Sequence, residues 1–209
     1  MTQVCKSKAQ RVLLVEGPDD CHVVMALCAE HQIPETFGIF SCDNYEQVLI
    51  RANALTLSSE RPTHIGILVD ADTPNARARW TALQAKLKSY SFPPEPGRQG
   101  TILGGGTLPL LGVWIMPDNN SAGMLEDFLL ATLDKETVAI TRELVASARC
   151  SGITTFKDCH SSKALIHSYL AWQDEPGAPL GLSVTKRNLR PDTEGARQFT
   201  DFLRRLFCS

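Results

Sequence analysis

No stretch of this 209-residue chain is apolar for long enough to span a bilayer. The N-terminal "MTQVCKSKAQ" is polar and lacks the apolar centre of a signal peptide. Both features lead to the expectation of a cytoplasmic protein that engages no membrane. Positive charge is not in excess either. The chain has 21 Lys and Arg against 23 Asp and Glu, a formal net charge of -2. Binding to a polyanion therefore needs a local basic patch, or metal ions bridging to phosphate. The cysteine count is odd, seven, and no pair has C-x-x-C spacing. Cys21, Cys28 and Cys42 fall in core-like segments, so reduced thiols are expected. Internal repeats and low-complexity tails are missing too.

What is present is an ordinary globular composition, 43% hydrophobic and 21% charged, long enough to bury a substantial core. Apolar runs alternate with helical periodicity. "RVLLVEG" (Arg11 to Gly17), "TFGIFSC" (Thr36 to Cys42) and "THIGILVDAD" (Thr63 to Asp72) read as strands. Helices are expected at Asp19 to His31, Tyr45 to Leu57 and Pro74 to Tyr90. Residues 91–111 are rich in Pro and Gly and read as turns around a short strand. "LLGVWIMPD" (Leu110 to Asp118) is a further strand, followed by a helix for which Ser121 is a candidate N-cap. Beyond Asp134 the pattern is helical, at Lys135 to Ala148, Ser161 to Trp172 and Glu194 to Phe207. "QDEPGAPLGLSVTKRN" reads as a loop. The expected fold class is α/β, with a mostly parallel central sheet flanked by helices and a C-terminal helical extension. The expected division is 1–132 for the α/β domain and 133–209 for the extension, packed on the same domain.

The acids carry the chemistry. Glu16 ends the first strand, and Asp70 and Asp72 end the third. In a parallel sheet the strands' carboxyl ends share one edge, which is where ligands bind. Side chains alternate along a strand, so Asp70 and Asp72 face the same way if the extended geometry persists. Asp118 and Glu126 follow the fourth apolar strand and could approach the same rim. Oxygen-rich clusters suit hard cations such as Mg²⁺ or Mn²⁺, which relieve the mutual repulsion and leave positions for water and phosphate. Plainer roles exist for several of them. Asp19 fits the positive end of a helix better than ligation. Asp72 could open a turn into Pro74. Glu126 and Asp127 could be solvated helix residues.

"VLLVEGPDD" followed by "IGILVDAD" resembles the Toprim domain of topoisomerases, primases and overcoming-lysogenization-defect (OLD) nucleases. The resemblance covers roughly the first 130 residues. It implies a Toprim-like fold and Mg²⁺-dependent phosphoryl transfer on nucleic acid, DNA or RNA, with the roles of Glu16, Asp70 and Asp72 carried over. "MPDNNSAGMLEDFLL", "IHSYLAWQDEPGAPLG" and "ARQFTDFLRRLF" are similar to an uncharacterised stand-alone Toprim-like family of bacteria and archaea. OLD-type nucleases imply three further residues, which fall here on Asp20, Glu126 and Lys163. The implied metal set is Glu16, Asp20, Asp70, Asp72 and Glu126. Glu16 doubles as general acid/base, and Lys163 neutralises charge in the transition state. No tyrosine matches a topoisomerase nucleophile, and the chain is short for a primase.

Other segments read more blandly. Lys163 near a helix start gains nothing from the dipole, yet a surface lysine is as good a reading. His160 and His167 lack a tight spacing motif. "LGGGTLPL" lacks a P-loop ending and reads as a flexible hairpin or lid. Trp114, Trp172 and Tyr169 read as core rather than stacking platforms. The segment from Lys186 to Phe207 could face phosphate, or be the solvated side of an amphipathic helix. Two alternatives to a nuclease stay open. One is a metal- or nucleotide-binding module that acts with a separate ATPase, since no Walker motif is present. The other is a small-nucleotide phosphohydrolase. Self-association into a homo-oligomer also stays open.

Overall fold

The structure is a computed structural model that describes residues 3–6, 10–72 and 74–208. Strands β1 (Gln3–Lys6) and β2 (Arg11–Val15) precede helix α1 (Pro18–Glu30), and β3 (Gly38–Ser41) leads to α2 (Tyr45–Leu57). Next come β4 (His64–Asp70), α3 (Ala76–Lys86), and strands β5 (Thr101–Gly105) and β6 (Leu108–Met116). The remainder is helical: α4 (Leu125–Leu130), α5 (Lys135–Cys150), a 3-10 turn at Asp158–His160, α6 (Ser161–Leu170), α7 (Leu180–Thr185) and α8 (Glu194–Phe207).

The six strands form one sheet in the order β1-β3-β2-β4-β6-β5. The inner four, β3-β2-β4-β6, run parallel. Strands β1 and β5 pair antiparallel at the two edges. The α/β class, the mostly parallel sheet and the C-terminal helices are as the apolar patterning requires. From β2 the chain moves to β3 on one side, then to β4 on the other. The order thus reverses at the carboxyl ends of β2 and β4, which opens a crevice there.

Alternation divides each strand between two cores. Leu13, Val15, Leu68 and Trp114 pack with residues of α1, α6 and α8. Val12, Leu14, Ile67 and Ile115 pack with α2 and α3. Gly66 and Gly112 are register partners on β4 and β6. A methyl on Gly66 would stand 2.7 Å from Leu13 Cδ1 and 2.8 Å from Phe207 Cζ, and one on Gly112 would overlap Leu206. This bare strip of sheet admits α8, whose Phe202, Leu203, Leu206 and Phe207 are fully buried. Burial of each such side chain stabilises the fold by roughly 1.5–3 kcal/mol.

The structure departs from the sequence reading in several places. Residues 3–6 form an edge strand, because antiparallel pairing with β3 supplies partners that the polar local pattern does not reveal. Cys5 on that strand forms a disulfide with Cys21 on α1, against the expectation of reduced thiols. Pairing β1 beside β3 brings their Cα atoms to 6.3 Å across 16 positions of sequence. The loop around "LGLSVT" contains α7, whose Leu180 and Val184 gain a helical face by burial against the core of α1. Ser121 is not an N-cap. Helix α4 begins at Leu125, after Met124, and the Ser121 hydroxyl donates instead to Asp118 at 2.8 Å. Trp172 is 51% exposed, while Trp114 is buried and Tyr169 partly so. The glycine-rich segment is the β5–β6 hairpin.

Candidate active site

Local chemistry starts the site at the end of β2. Glu16 leaves the sheet just before α1, which opens with Gly17 and Pro18. Asp20 turns back, and its Oδ2 accepts the Gly17 N–H at 2.8 Å, capping the helix. Asp20 is therefore tied to the start of α1 and stays 8% exposed. At the neighbouring strand end, the Asp70 N–H donates to Glu16 Oε1 at 2.9 Å. Asp70 Oδ1 in turn accepts the Leu125 N–H, the first of α4, at 2.9 Å. Glu126 follows Leu125 and is 4% exposed.

Glu16, Asp20, Asp70 and Glu126 line one cleft of about 280 Å³ with Asp19, Asp43 and Lys163. Lys163 Nζ stands 3.6 Å from Glu126 Oε1, across from the strand ends. The lysine sits there because α6 is docked on α4. Asp127 accepts the Met124 N–H at 2.9 Å with one oxygen and the Ser162 hydroxyl at 2.6 Å with the other. Asp127 is thus a clasp between two helices and not a solvated residue.

Burial and repulsion show in the protons. Burial, then the charges of Asp20, Glu16 and Glu126, pushes Asp70 up to about 9. Burial raises Asp20 to about 7, opposed by its bond to Gly17 and aided by Glu16 and Glu126. Glu16 is raised by burial as well, against the pull of the Asp70 N–H and Arg79. Such a set either holds protons or accepts a cation.

Asp72 behaves differently. Strand β4 ends at Asp70, and Asp72 takes a left-handed φ of 52°. Its N–H and C=O pair with Gly123 at 2.8 and 3.2 Å. The expected alternation therefore stops, and the Asp72 carboxylate goes to the Arg79 guanidinium. Arg79 also donates to the Asp70 carbonyl at 3.0 Å and stacks on Tyr45 at 3.9 Å. Asp72 is not on the cleft wall. Asp118 is exposed and holds the Asn120 and Ser121 N–H groups, away from the cluster. His160 and His167 are exposed, and neither lines the cleft.

Two participants escaped the sequence reading. Asp43 stands two residues beyond the end of β3, and so reaches the same carboxyl edge as Glu16. Its signal was an acid just after a predicted strand. Arg79 lies seven positions after Asp72, on the α3 turn that faces back to β4, and only the fold shows that contact.

The donor set consists of carboxylate oxygens, which suits a hard divalent cation. Among the described residues no three His, Cys, Asp or Glu side chains are placed to enclose one ion. Mg²⁺ commonly takes one or two carboxylates and completes its shell with water and phosphate oxygens. The residues present fit that mode rather than a closed protein cage.

No helix among the described residues is long and apolar enough to cross a membrane. Among solved structures, the C-terminal region of the OLD protein of Xanthomonas campestris pv. campestris is similar, with a TM-score of 0.49 and 14% identity over 96% of each chain. No match is found among curated proteins. The family model described as "Protein of unknown function (DUF3226)" matches residues 10–208. With that match running over nearly its whole length, the chain belongs to the DUF3226 family.

Proposed function

We infer that the chain is a divalent-metal-dependent phosphodiester hydrolase that cleaves nucleic acid at the carboxylate cleft. One observation carries this reading. Glu16, Asp20, Asp70 and Glu126 share a single small cleft, with Lys163 on its wall, at the point where the strand order reverses. The E-G-x-D-D and D-x-D resemblance to Toprim nucleases supports it. Mg²⁺ or Mn²⁺ held there supplies Lewis-acid stabilisation of phosphoryl oxygens and a more acidic water.

The chain's own residues do the remaining work. Asp70, Asp20 and Glu126 would offer the carboxylates for the cation, one or two at a time with water completing its shell, and Asp72 would join them only if its pair with Arg79 opened. Glu16, with its raised pKa, moves a proton to or from water or the leaving oxygen. Lys163 turns from Glu126 toward the phosphoryl oxygens as negative charge builds on them. The two-unit division at residue 132 remains part of this proposal, as does a cytoplasmic location.

The test is incubation of purified protein with end-labelled single- and double-stranded DNA and RNA in Mg²⁺, Mn²⁺ or EDTA. Glu16→Gln and Asp70→Asn run alongside to exclude a contaminant. Cleavage that needs metal and is lost in both variants supports the reading. A folded protein that cuts none of the four polymers sinks it.

A second reading has its own observation. Helix α5 buries only Thr141, and Leu144, Ile153 and Trp172 are each more than half exposed beside an apolar groove between α5 and α6. Exposed apolar surface of this kind marks association. A module that works only with a partner such as a separate ATPase would use it. Cleavage that appears only when a partner protein is added would favour that reading.

A further inference from the structure

The basic residues of the C-terminal segment are largely committed to the protein itself. Lys186 pairs with Glu175, Arg187 with Glu30 at 2.8 Å, and Arg204 with Asp201 at 2.9 Å. Arg197 and Arg205 donate to the carbonyls of Asp192 and Gln99. Arg79 is held by Asp72. Arg98 is different. Among the described residues its guanidinium has no hydrogen-bond or ion-pair partner, although its backbone is firmly held.

Three contacts fix the turn that carries it. The Gly97 N–H donates to Thr101 Oγ1 at 2.8 Å, and the Gly100 N–H to the Gly97 carbonyl at 2.9 Å. Asn119 Nδ2 donates to the Arg98 carbonyl at 3.4 Å. Asn119 is itself only 2% exposed, locked by its Oδ1 to the Ile115 N–H at 2.8 Å. The nearby Asp118 carboxylate is satisfied by Asn120 and Ser121, which explains why it does not capture the arginine.

Arg98 lines a cleft of about 270 Å³ with Asn75, Arg77, Glu95, Asn119 and Asn120. Asn75 and Arg77 follow the end of β4, and Asn119 and Asn120 follow the end of β6. The cleft therefore opens on the same carboxyl edge as the acids. The Asp72–Gly123 bridge stands between the two in the chain's path. Its walls are the Arg77 and Arg98 guanidinium groups, side-chain amides and one carboxylate, Glu95, with Pro96 as the apolar residue. A nucleobase or lipid has no apolar floor there. A phosphate has fork-shaped donors and side-chain amides. The Arg77–Glu95 pair at 3.2 Å is exposed on both sides, so a phosphate can replace the glutamate.

We propose that this cleft is a phosphate subsite, with Arg98 as its anchor, for a phosphodiester flanking the one at the carboxylate cleft. The assignment to a nucleic-acid strand rests on the proposed function; the anion site itself does not.

The experiment measures anisotropy of a fluorescein-labelled single-stranded oligonucleotide in EDTA, across KCl concentrations. Wild type is compared with Arg98→Ala, Arg98→Lys and the charge-matched control Lys88→Ala, all checked for folding by circular dichroism. Tripolyphosphate binding is measured in parallel by calorimetry. Arg98→Ala should weaken oligonucleotide binding about tenfold and reduce the slope of log affinity against log salt by about 0.7, with Lys88→Ala unchanged and Arg98→Lys between. Equal affinities for Arg98→Ala and Lys88→Ala overturn the subsite. Wild type that ignores the oligonucleotide but binds tripolyphosphate through Arg98 keeps the subsite and defeats the nucleic-acid reading. Binding of neither probe overturns the subsite, whatever the metal chemistry of the carboxylate cleft.

Discussion

The Glu16 carboxylate accepts the Asp70 backbone N–H at 2.9 Å, joining the carboxyl ends of β2 and β4 across 54 positions of sequence. The bond sets where both acids stand. It also leaves the Asp70 side chain directed to the start of α4, where Leu125 binds it. Glu16, Asp20, Asp70 and Glu126 share a cleft in which burial raises the proton affinity of Glu16, and burial with the charges of neighbouring acids raises that of Asp20 and Asp70.

A pH dependence of stability follows. Asp70 is raised to about 9 and Asp20 to about 7, both from an ordinary 3.8. Between those limits the folded state holds more protons than the unfolded chain, so unfolding releases protons and is favoured by rising pH. In EDTA, Tm should fall from pH 5 to pH 9, the Asp20 part ending near pH 7. Mn²⁺ or Mg²⁺ should raise Tm most at the alkaline end, where it replaces the protons. Scanning calorimetry across pH, with and without metal, checks this; a Tm that climbs steadily to pH 9 in EDTA contradicts it.

Lys163 separates stability from chemistry. Its side chain is 52% exposed and its pair with Glu126 is long at 3.6 Å. Lys163→Met should change stability by about 1 kcal/mol or less. Loss of a cation at the phosphoryl group should lower kcat by roughly 10²-fold. Chemical denaturation and single-turnover cleavage together read both. A variant with full kcat removes the lysine from the mechanism.

The clasp at Asp127 makes a converse prediction. Asp127→Ala removes the acceptor for Met124 and Ser162, and should destabilise by about 1–2 kcal/mol. Ser162→Ala should cost about half as much, since the Met124 bond survives. Ser162→Ala should reduce cleavage with little change in metal affinity, because it loosens α6 and Lys163 while α4, which carries Glu126, keeps its cap. Urea melts and metal titrations distinguish this from a direct ligand role for Asp127.

Packing of α8 on the bare strip of the sheet is testable by a double-mutant cycle. Gly112→Ala overlaps Leu206 and should destabilise by about 1–3 kcal/mol. Leu206→Ala should cost about 2–5 kcal/mol. Together they should be less damaging than their sum, because the methyl added at position 112 fills part of the space left by Leu206. Strict additivity would mean that the two sites do not touch.

Much of this molecule was legible in one dimension. The β-branched runs and their spacing specify α/β alternation because backbone hydrogen bonding and burial are local demands repeated along each element. Helices α2 and α8 fall on Tyr45–Leu57 and Glu194–Phe207, where an Asn44 or Thr193 cap meets an apolar period. The acids of strands β2 and β4 were visible because a carboxylate at the end of an apolar run is unusual. What the chain could not reveal locally were relations between distant residues. The short strand β1 and its Cys5–Cys21 bridge exist only because β3 offers an edge. Asp43 becomes a wall of the cleft because the strands align their ends. Asp72 turns to Arg79 because Gly123 pairs with its backbone and ends the strand's alternation. Sequence alone determined most of the elements, β1 and α7 excepted, and which edge carries the acids, since those follow from hydrophobic period and strand polarity. Tertiary structure decided which acids share the cleft, which cations are already paired, and that Lys163 faces Glu126, because these depend on how separate elements dock.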